Sequence, residues 1–164
     1  MTILISNTGP LIALAKIQKL SLLEKLELQG ILIPPRVQKE LRGKIGDESD
    51  FIESALDTFI QVKKPDKPKN EIEKATASLD EGEQEVILLG AEIDEKRLLL
   101  LDDKAGRRIA KQLNLPIIGT AGLLLLLKQQ GLVEEVFPLM TELRRRGYWL
   151  SDALVVQVQQ LAGE

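Results

Sequence analysis

The sequence predicts an α/β protein whose central parallel sheet is covered by helices on both faces, and three observations support this. Short, almost wholly apolar segments alternate with helical patterns along the 164 residues, as is typical of strands buried in a parallel sheet. Aromatic residues make up only 3% of the chain, so aliphatic side chains must fill the core. Polar residues follow several of the strands, and open α/β sheets build their sites at the carboxyl ends of strands.

Five segments are predicted to be strands of this sheet: 3–6, 30–33, 59–63, 97–101 and 116–118. The first strand should lie in the centre beside the fourth, because only that order brings the polar residues after both strands together. Helices are predicted near 11–15, 20–28, 36–42, 49–57, 80–92 or 82–92, 104–113, 120–130, 133–146 and 151–162. Gly30 is expected to end the second helix, and the proline-rich segment 64–70 is interpreted as a loop. We expect one domain over residues 1–164, with the C-terminal helices at about 133–162 packed on it.

The residue types that are missing from the chain narrow its chemistry. Without Cys there are no disulfides, thiolate nucleophiles or zinc fingers. Without His there is no imidazole base and no Ser-His-Asp triad. The glycine-rich phosphate loops of nucleotide-binding folds are also absent from the sequence. Catalysis would therefore use carboxylates with an oxygen-liking metal, or Lys, Ser, Thr or Tyr.

The charge and the apolar runs bear on partners and location. The net charge is −3, with 22 basic and 25 acidic residues. A nucleic acid would therefore have to bind at a local basic patch or through a cation. The longest apolar runs are far shorter than the ~20 residues of a membrane span, and the first residues do not resemble a signal peptide. We expect a cytoplasmic protein that does not enter a membrane.

The sharpest chemical pattern is the acid pair Asp102-Asp103, directly after a strand of leucines. Two adjacent carboxylates repel each other unless protons or a cation separate them, and Mg²⁺ and Mn²⁺ prefer oxygen ligands. Glu40 and Glu83 are predicted to face the same rim, together with the polar turn at Asn7.

Each of these residues also has a purely structural interpretation. Asp103 suits the N-cap of the following helix equally well, and Glu83 with Asp80 suits a first helical turn. Glu40 taken alone is best interpreted as a solvated helix residue, and Asn7 with Thr8 as a turn. A metal site is therefore predicted from all these positions together and not from any one of them.

Five motifs in order resemble the PIN-domain family, which includes the VapC-type toxins of bacterial toxin–antitoxin pairs. They are SNTGPL after the first strand, ILIPPxVxxEL, LDxGE, LLLDD and IIGT. The segment GYWLSD at 147–152 is similar to that of a small, little-characterised bacterial branch of the family. The resemblance covers nearly the whole chain.

The resemblance implies a three-layer α/β/α sandwich with about five parallel strands and a Mg²⁺- or Mn²⁺-dependent ribonuclease site of three or four acids. It places the acids at Glu40, Glu83, Asp102 and Asp103, with Glu85 as a weaker alternative to Glu83. The assisting hydroxyl falls on Thr8 or Thr120. The family's usual Asp after the first strand is replaced by Asn7, which adds no charge and should weaken metal binding.

The leading hypothesis is a metal-dependent endoribonuclease, such as the toxin of a toxin–antitoxin pair. Asp102, Glu83 and either Asp103 or Glu40 would hold the cation, which would activate water for attack on a phosphodiester. RNA phosphates would contact one basic helix face: Lys104, Arg107, Arg108 and Lys111. The cluster 144–146 is interpreted rather as solvated helix surface than as an RNA contact.

Two other functions stay open at this point. One is a PIN-like binding or regulatory module with weak or no nuclease activity, which Asn7 and the mildly acidic charge favour. The other is a phospho-receiver domain. It is disfavoured because a receiver domain has its acid pair after the first strand, whereas the acid pair of this chain follows the fourth. The expected partners are RNA, an antitoxin-like protein and a second copy of the chain.

Overall fold

A five-stranded parallel sheet forms the centre of the computed structural model, which describes residues 1–44, 46–66 and 70–164. Its strands are β1 (Thr2–Ser6), β2 (Leu28–Ile33), β3 (Ile60–Val62), β4 (Arg97–Leu100) and β5 (Ile117–Ile118). They lie side by side in the order β3-β2-β1-β4-β5. The predicted parallel sheet is confirmed, and so is the central position of the first strand beside the fourth.

Helices cover this sheet and complete the predicted three-layer α/β arrangement. They are α1 (Thr8–Lys16), α2 (Pro35–Arg42), α3 (Ser49–Thr58), α4 (Asn70–Ala75), α5 (Glu81–Glu92), α6 (Lys104–Gln112), α7 (Thr120–Gln129), α8 (Phe137–Arg145) and α9 (Asp152–Leu161). A short 3-10 helix, Leu20–Lys25, lies between α1 and β2. No helix in the described part of the chain is long and apolar enough to cross a membrane.

The core is aliphatic, as the composition predicts. The central strand β1 contributes Leu4 and Ile5, which are fully buried between the helical layers. Its neighbour β4 contributes Leu99 and Leu100, and the register sets Ser6 opposite Leu100. Strands buried on both faces have no polar side to show, which is why these segments are nearly continuous runs of Leu and Ile.

Several element boundaries were predicted wrongly, and local physics explains them. Gly30 does not end a helix: it pairs with Ile3 inside β2, and the predicted helix over 20–28 is only the 3-10 turn. The pairing energy of the parallel ladder overrides the weak strand propensity of glycine. The helix predicted from residue 133 begins at Phe137, because Pro138 suits a first turn and not an interior position.

The predicted loop over 64–70 also needs a correction at its end. Asn70 begins α4, whose first turn carries Glu71 and Glu73 and whose last turn carries Lys74. Acids in the first turn and a cation in the last turn stabilise a helix through its dipole. Residues 67–69 of the predicted loop lie outside the described residues.

Candidate functional site

The carboxyl ends of β1, β4 and β5 meet at one edge of the sheet and place the polar residues that follow them. The Asn7 backbone N–H donates to the carbonyl of Leu100 at 3.1 Å, so the exits of β1 and β4 are side by side. The Leu101 N–H donates to the carbonyl of Ile118 at 2.9 Å, which aligns the exit of β5 with them. Asp102 therefore follows the strand between those that lead to Asn7 and to Thr120, as the sequence predicts.

The Asp102 carboxylate accepts three hydrogen bonds from outside the acid group. The Thr120 backbone N–H donates to its Oδ1 at 2.7 Å, and the Thr120 hydroxyl donates to its Oδ2. The Tyr148 hydroxyl also donates to Oδ2 and lies 3.5 Å from the Thr120 hydroxyl. A carboxylate offers about four lone-pair positions, so most of its capacity is already in use. Asp102 thus joins the starts of two segments, α7 and the loop before α9.

The Asp103 side chain caps the helix that follows it. Its Oδ2 accepts from the backbone N–H groups of Ala105 at 3.0 Å and Gly106 at 3.2 Å, which makes it the N-cap of α6. Asp80 caps α5 in the same way, accepting from the Glu83 N–H at 2.8 Å. Both caps satisfy donors that a helix otherwise leaves without partners. The structural interpretation of Asp103 is therefore correct, but its second oxygen takes no part in the cap.

Glu83 is the acid whose chemistry the fold changes most. It lies in the first turn of α5, with only 7% of its surface exposed, and its carboxyl group packs against the first turn of α6 at Gly106. Burial, then the negative charges of Asp80 and Asp103, raise the pKa of Glu83 from 4.5 to about 7. A hydrogen bond with Asp103, which requires a proton, acts in the same direction. Desolvation and like charges are the two causes expected for a buried acid cluster.

Glu40 and Asn7 approach the same cluster from the other side, around Gly82. A Cβ atom at Gly82 would lie 3.2 Å from both Asn7 Oδ1 and Glu40 Oε1, and 3.5 Å from Asp80 Oδ1. The Thr8 hydroxyl donates to Glu40 Oε2 at 2.6 Å. The Glu40 side chain is therefore held at this edge of the sheet by a hydrogen bond and is not a freely solvated helix residue.

The predicted acids thus do not form a single group. Glu83, Asp103 and the cap Asp80 interact directly, and Glu40 with Asn7 borders them at Gly82. Asp102 is bonded instead to Thr120 and Tyr148, and it is not among the charges that raise the pKa of Glu83. Across the described residues, no three carboxylates come together in an arrangement that could hold a metal ion. In donor type the site still fits a hard cation, because every donor is oxygen and no cation in the described part of the chain forms an ion pair with Asp80, Glu83 or Asp103.

The two basic clusters of the sequence differ in their pairing. The α6 cluster lines a groove of about 540 Å³ that reaches Asp102: Lys104, Arg107, Arg108 and Lys111. No carboxylate in the described ranges pairs with any of these four. Arg107 instead donates to the carbonyl of Leu101 at 2.9 Å.

The cluster at the end of α8 is paired with local acids, which offset two of its three positive charges. Arg144 pairs with Asp152 at 2.8 Å, while Arg145 and Arg146 both pair with Glu142. The hydrogen bonds from Arg145 and Arg146 lower the pKa of Glu142 from 4.5 to about 2. This agrees with the interpretation of the cluster as helix surface.

Two residues that act on the site are not among the site residues predicted from the sequence. Tyr148 reaches Asp102 from 46 positions further along the chain, and no local pattern indicates such a contact. Asp80 influences Glu83 through charge and through its cap. Its helix-start position was visible in the sequence, whereas its closeness to Glu83 and Asp103 depends on how α5 packs beside α6.

The fold and this edge define an α/β protein whose acidic site lies at the carboxyl ends of parallel strands, beside a basic helix. The PIN-domain family matches residues 3–164, and the chain belongs to that family. PIN domains are generally nucleases that use divalent metals. A comparison with curated proteins finds no match.

Proposed function

We propose that this protein is a Mg²⁺- or Mn²⁺-dependent endoribonuclease that cleaves RNA at the edge where Glu83, Asp102 and Asp103 lie. The observation that supports this most directly is the like-charge cluster around Glu83, which holds its pKa at about 7. Such a cluster costs stability when ionised, and perturbed acids of this kind concentrate at functional sites. A divalent cation is the partner that would relieve the repulsion.

Glu83 and Asp103 would hold the cation, and Asp102 and Glu40 would border it. The bound cation would offset negative charge on the phosphoryl oxygens and favour ionisation of a water molecule. Thr120 and Tyr148 fix the orientation of the Asp102 carboxylate by donating hydrogen bonds to it. Burial of Glu83 beside α6 excludes bulk solvent from one side of the site.

RNA would be held by the basic groove of α6. The unpaired cations of this helix begin one residue after the acid pair, so a phosphate bound there lies next to the acids. Attraction of this kind depends on phosphate charge and carries little base specificity. The local patch also explains how a chain of net charge −3 could bind RNA.

Two observations favour a second candidate, a binding or regulatory module of the same fold with little nuclease activity. Asn7 supplies a neutral amide at a position where the family's usual acid would supply charge. Asp102 already has three hydrogen-bond donors and is not among the charges that act on Glu83. A toxin role, with an antitoxin-like protein as inhibitor and a second copy as partner, is proposed from the family resemblance.

Cleavage of an end-labelled single-stranded RNA in Mn²⁺ and in EDTA tests the proposal. We expect cleavage only with Mn²⁺, a loss of at least 100-fold in Asp102→Asn, and higher activity with tighter Mn²⁺ binding in Asn7→Asp. Glu135→Gln removes an exposed acid far along the chain from the site and should behave as wild type.

The outcomes separate the two candidates. If RNA binds but is not cleaved, and Asn7→Asp gains cleavage, the wild-type chain is the binding module. Cleavage that survives in EDTA or in Asp102→Asn would contradict the proposed site.

A further inference from the structure

The segment 147–152 is built as a rigid connection between α8 and α9. Gly147 has φ +87°, a conformation that favours glycine, and ends α8. The Tyr148 N–H then donates to the carbonyl of Leu143 at 2.9 Å, which closes the helix end. Ser151 caps α9 by accepting from the Leu154 N–H at 3.1 Å. Both ends of the segment are therefore fixed by hydrogen bonds.

The middle of the segment is also fixed, by burial and by hydrogen bonds. Leu150 is buried, and its carbonyl accepts two hydrogen bonds from Arg144, at 3.0 and 2.7 Å. The same guanidinium pairs with Asp152 at 2.8 Å. On the inner side the Tyr148 hydroxyl donates to Asp102. These contacts give a structural role to each of these residues, and Trp149 lies between two of them.

Trp149 points outward with 82% of its surface exposed. It is the single tryptophan of the chain. A large aromatic side chain in water forgoes the stabilisation that its burial would give. On a flexible loop this would need no explanation, but here a well-fixed backbone holds the ring in solvent. The ring borders a groove of about 530 Å³ that the rest of the segment and Arg144 line.

We propose that Trp149 is a stacking platform for one unpaired base of the RNA bound at this edge. This inference rests on the proposed function, because it takes the RNA to lie at Asp102. Tyr148, the residue before Trp149, reaches inward to Asp102, so the segment that presents Trp149 borders the acidic edge. Aromatic side chains near such sites bind bases by stacking on their faces.

The surroundings of Trp149 favour a base over a protein partner. Apart from Trp149 and the buried Leu150, the groove is lined by glycine and by polar or charged side chains: Arg144, Gly147, Tyr148, Ser151 and Asp152. One exposed flat ring flanked by the charged side chains of Arg144 and Asp152 suits the face of a base, whose edges and phosphate remain polar. Protein partners usually need a broader apolar contact at the centre of the interface.

Because the chain has one tryptophan, its own fluorescence reports the contact. The whole protein is titrated with an oligoadenylate of ten nucleotides and, separately, with an abasic strand of equal length. Both titrations contain EDTA, which prevents metal-dependent cleavage. We expect the oligoadenylate to quench the fluorescence. The abasic strand has the same charge but no bases, so it should bind more weakly and quench little.

Variants are compared by the anisotropy of a labelled oligoadenylate, which does not need the tryptophan. Trp149→Ala should weaken binding about 5- to 150-fold, the range expected for one stacked base. Trp149→Phe keeps an aromatic face and should recover most of the affinity. Phe137→Ala removes another exposed aromatic ring, at the start of α8, and should bind as wild type.

Three results would overturn the inference. They are RNA binding without quenching, equal affinity in Trp149→Ala, and a change of oligomeric state in Trp149→Ala, which would make the ring part of a protein interface. Failure of the proposed nuclease function gives a different pattern, in which RNA quenches Trp149 but Mn²⁺ produces no cleavage.

Discussion

Asp102 and Asp103 are consecutive residues, but their carboxylates contact different parts of the fold. Asp103 turns back to cap α6 and approaches Glu83, whereas Asp102 turns toward Thr120 and Tyr148. Consecutive residues leaving a strand point in different directions, so an acid pair in sequence need not be a pair in space. The charge that acts on Glu83 therefore comes from Asp103 and Asp80.

Glu83→Gln is expected to change how stability depends on pH. The folded state raises the pKa of Glu83 from 4.5 to about 7, so between these values the folded protein binds a proton that the unfolded chain does not. Wild-type stability should therefore fall as pH rises through this window. Gln removes this loss, and at pH 8 the variant should be more stable than wild type by up to about 3 kcal/mol.

Urea unfolding at pH 4.5, 6 and 8 measures this effect as the difference between the variant and wild type. That difference should grow with pH and should shrink when Mn²⁺ is added, because a cation stabilises the ionised acid. Glu135→Gln, an exposed acid, serves as the control and should show no such trend. A difference that stays constant from pH 4.5 to 8 would mean that the cluster does not perturb Glu83.

At the scale of elements, α6 and α8 both carry several cations, yet their neighbours give them different properties. The α8 arginines face Glu142 and Asp152 within hydrogen-bonding distance. The α6 cations face a groove that opens beside Asp102. A helix face whose cations lack acidic partners presents a positive electrostatic potential to a ligand. A face whose cations are paired with acids has a much weaker potential at long range.

Arg108→Ala and Arg145→Ala remove one positive charge each and form a matched pair. We expect Arg108→Ala to weaken RNA binding in EDTA, and to reduce the slope of log K against log salt by about 0.7, the value for one phosphate contact on a single strand. Arg145→Ala should change both quantities less, because Arg145 is already ion-paired with Glu142, which it shares with Arg146. Anisotropy titrations from 50 to 300 mM salt measure the slopes. Equal slopes in the two variants would place the RNA away from α6.

At the scale of the whole molecule, the regular patterns of apolar residues in the sequence made the fold predictable. Contacts between residues distant in the chain did not follow from these patterns. Runs such as Leu98–Leu101 indicate buried parallel strands, and the residues after them lie at one edge, as predicted. The contact of Tyr148 with Asp102 depends on where α8 and α9 pack. So does the burial of Glu83 against α6. Periodicity within a segment carries no information on such packing.

The C-terminal helices are joined to the rest of the chain by polar contacts at both ends. The Glu164 carboxylate accepts from the backbone N–H groups of Val136 and Phe137, at 2.8 and 2.9 Å, and pairs with Lys128 of α7. Lys128 also donates to the carbonyl of Ala162 at 2.7 Å. Together with the Tyr148 contact, these bonds connect α7, α8 and α9. We therefore expect residues 1–164 to unfold as one cooperative unit.

Met140→Ala tests this expectation, because Met140 is fully buried in α8. The cavity should cost about 2–5 kcal/mol, which lowers the melting temperature of a chain of this size by at least about 4 °C. Trp149 fluorescence follows the C-terminal region, and far-UV circular dichroism follows all helices. In a single unit both transitions coincide and shift together in the variant, whereas Thr141→Ala, an exposed change in the same helix, shifts neither. If only the fluorescence transition moves, α8 and α9 form a separate unit, and Tyr148 would then leave Asp102 before the sheet unfolds.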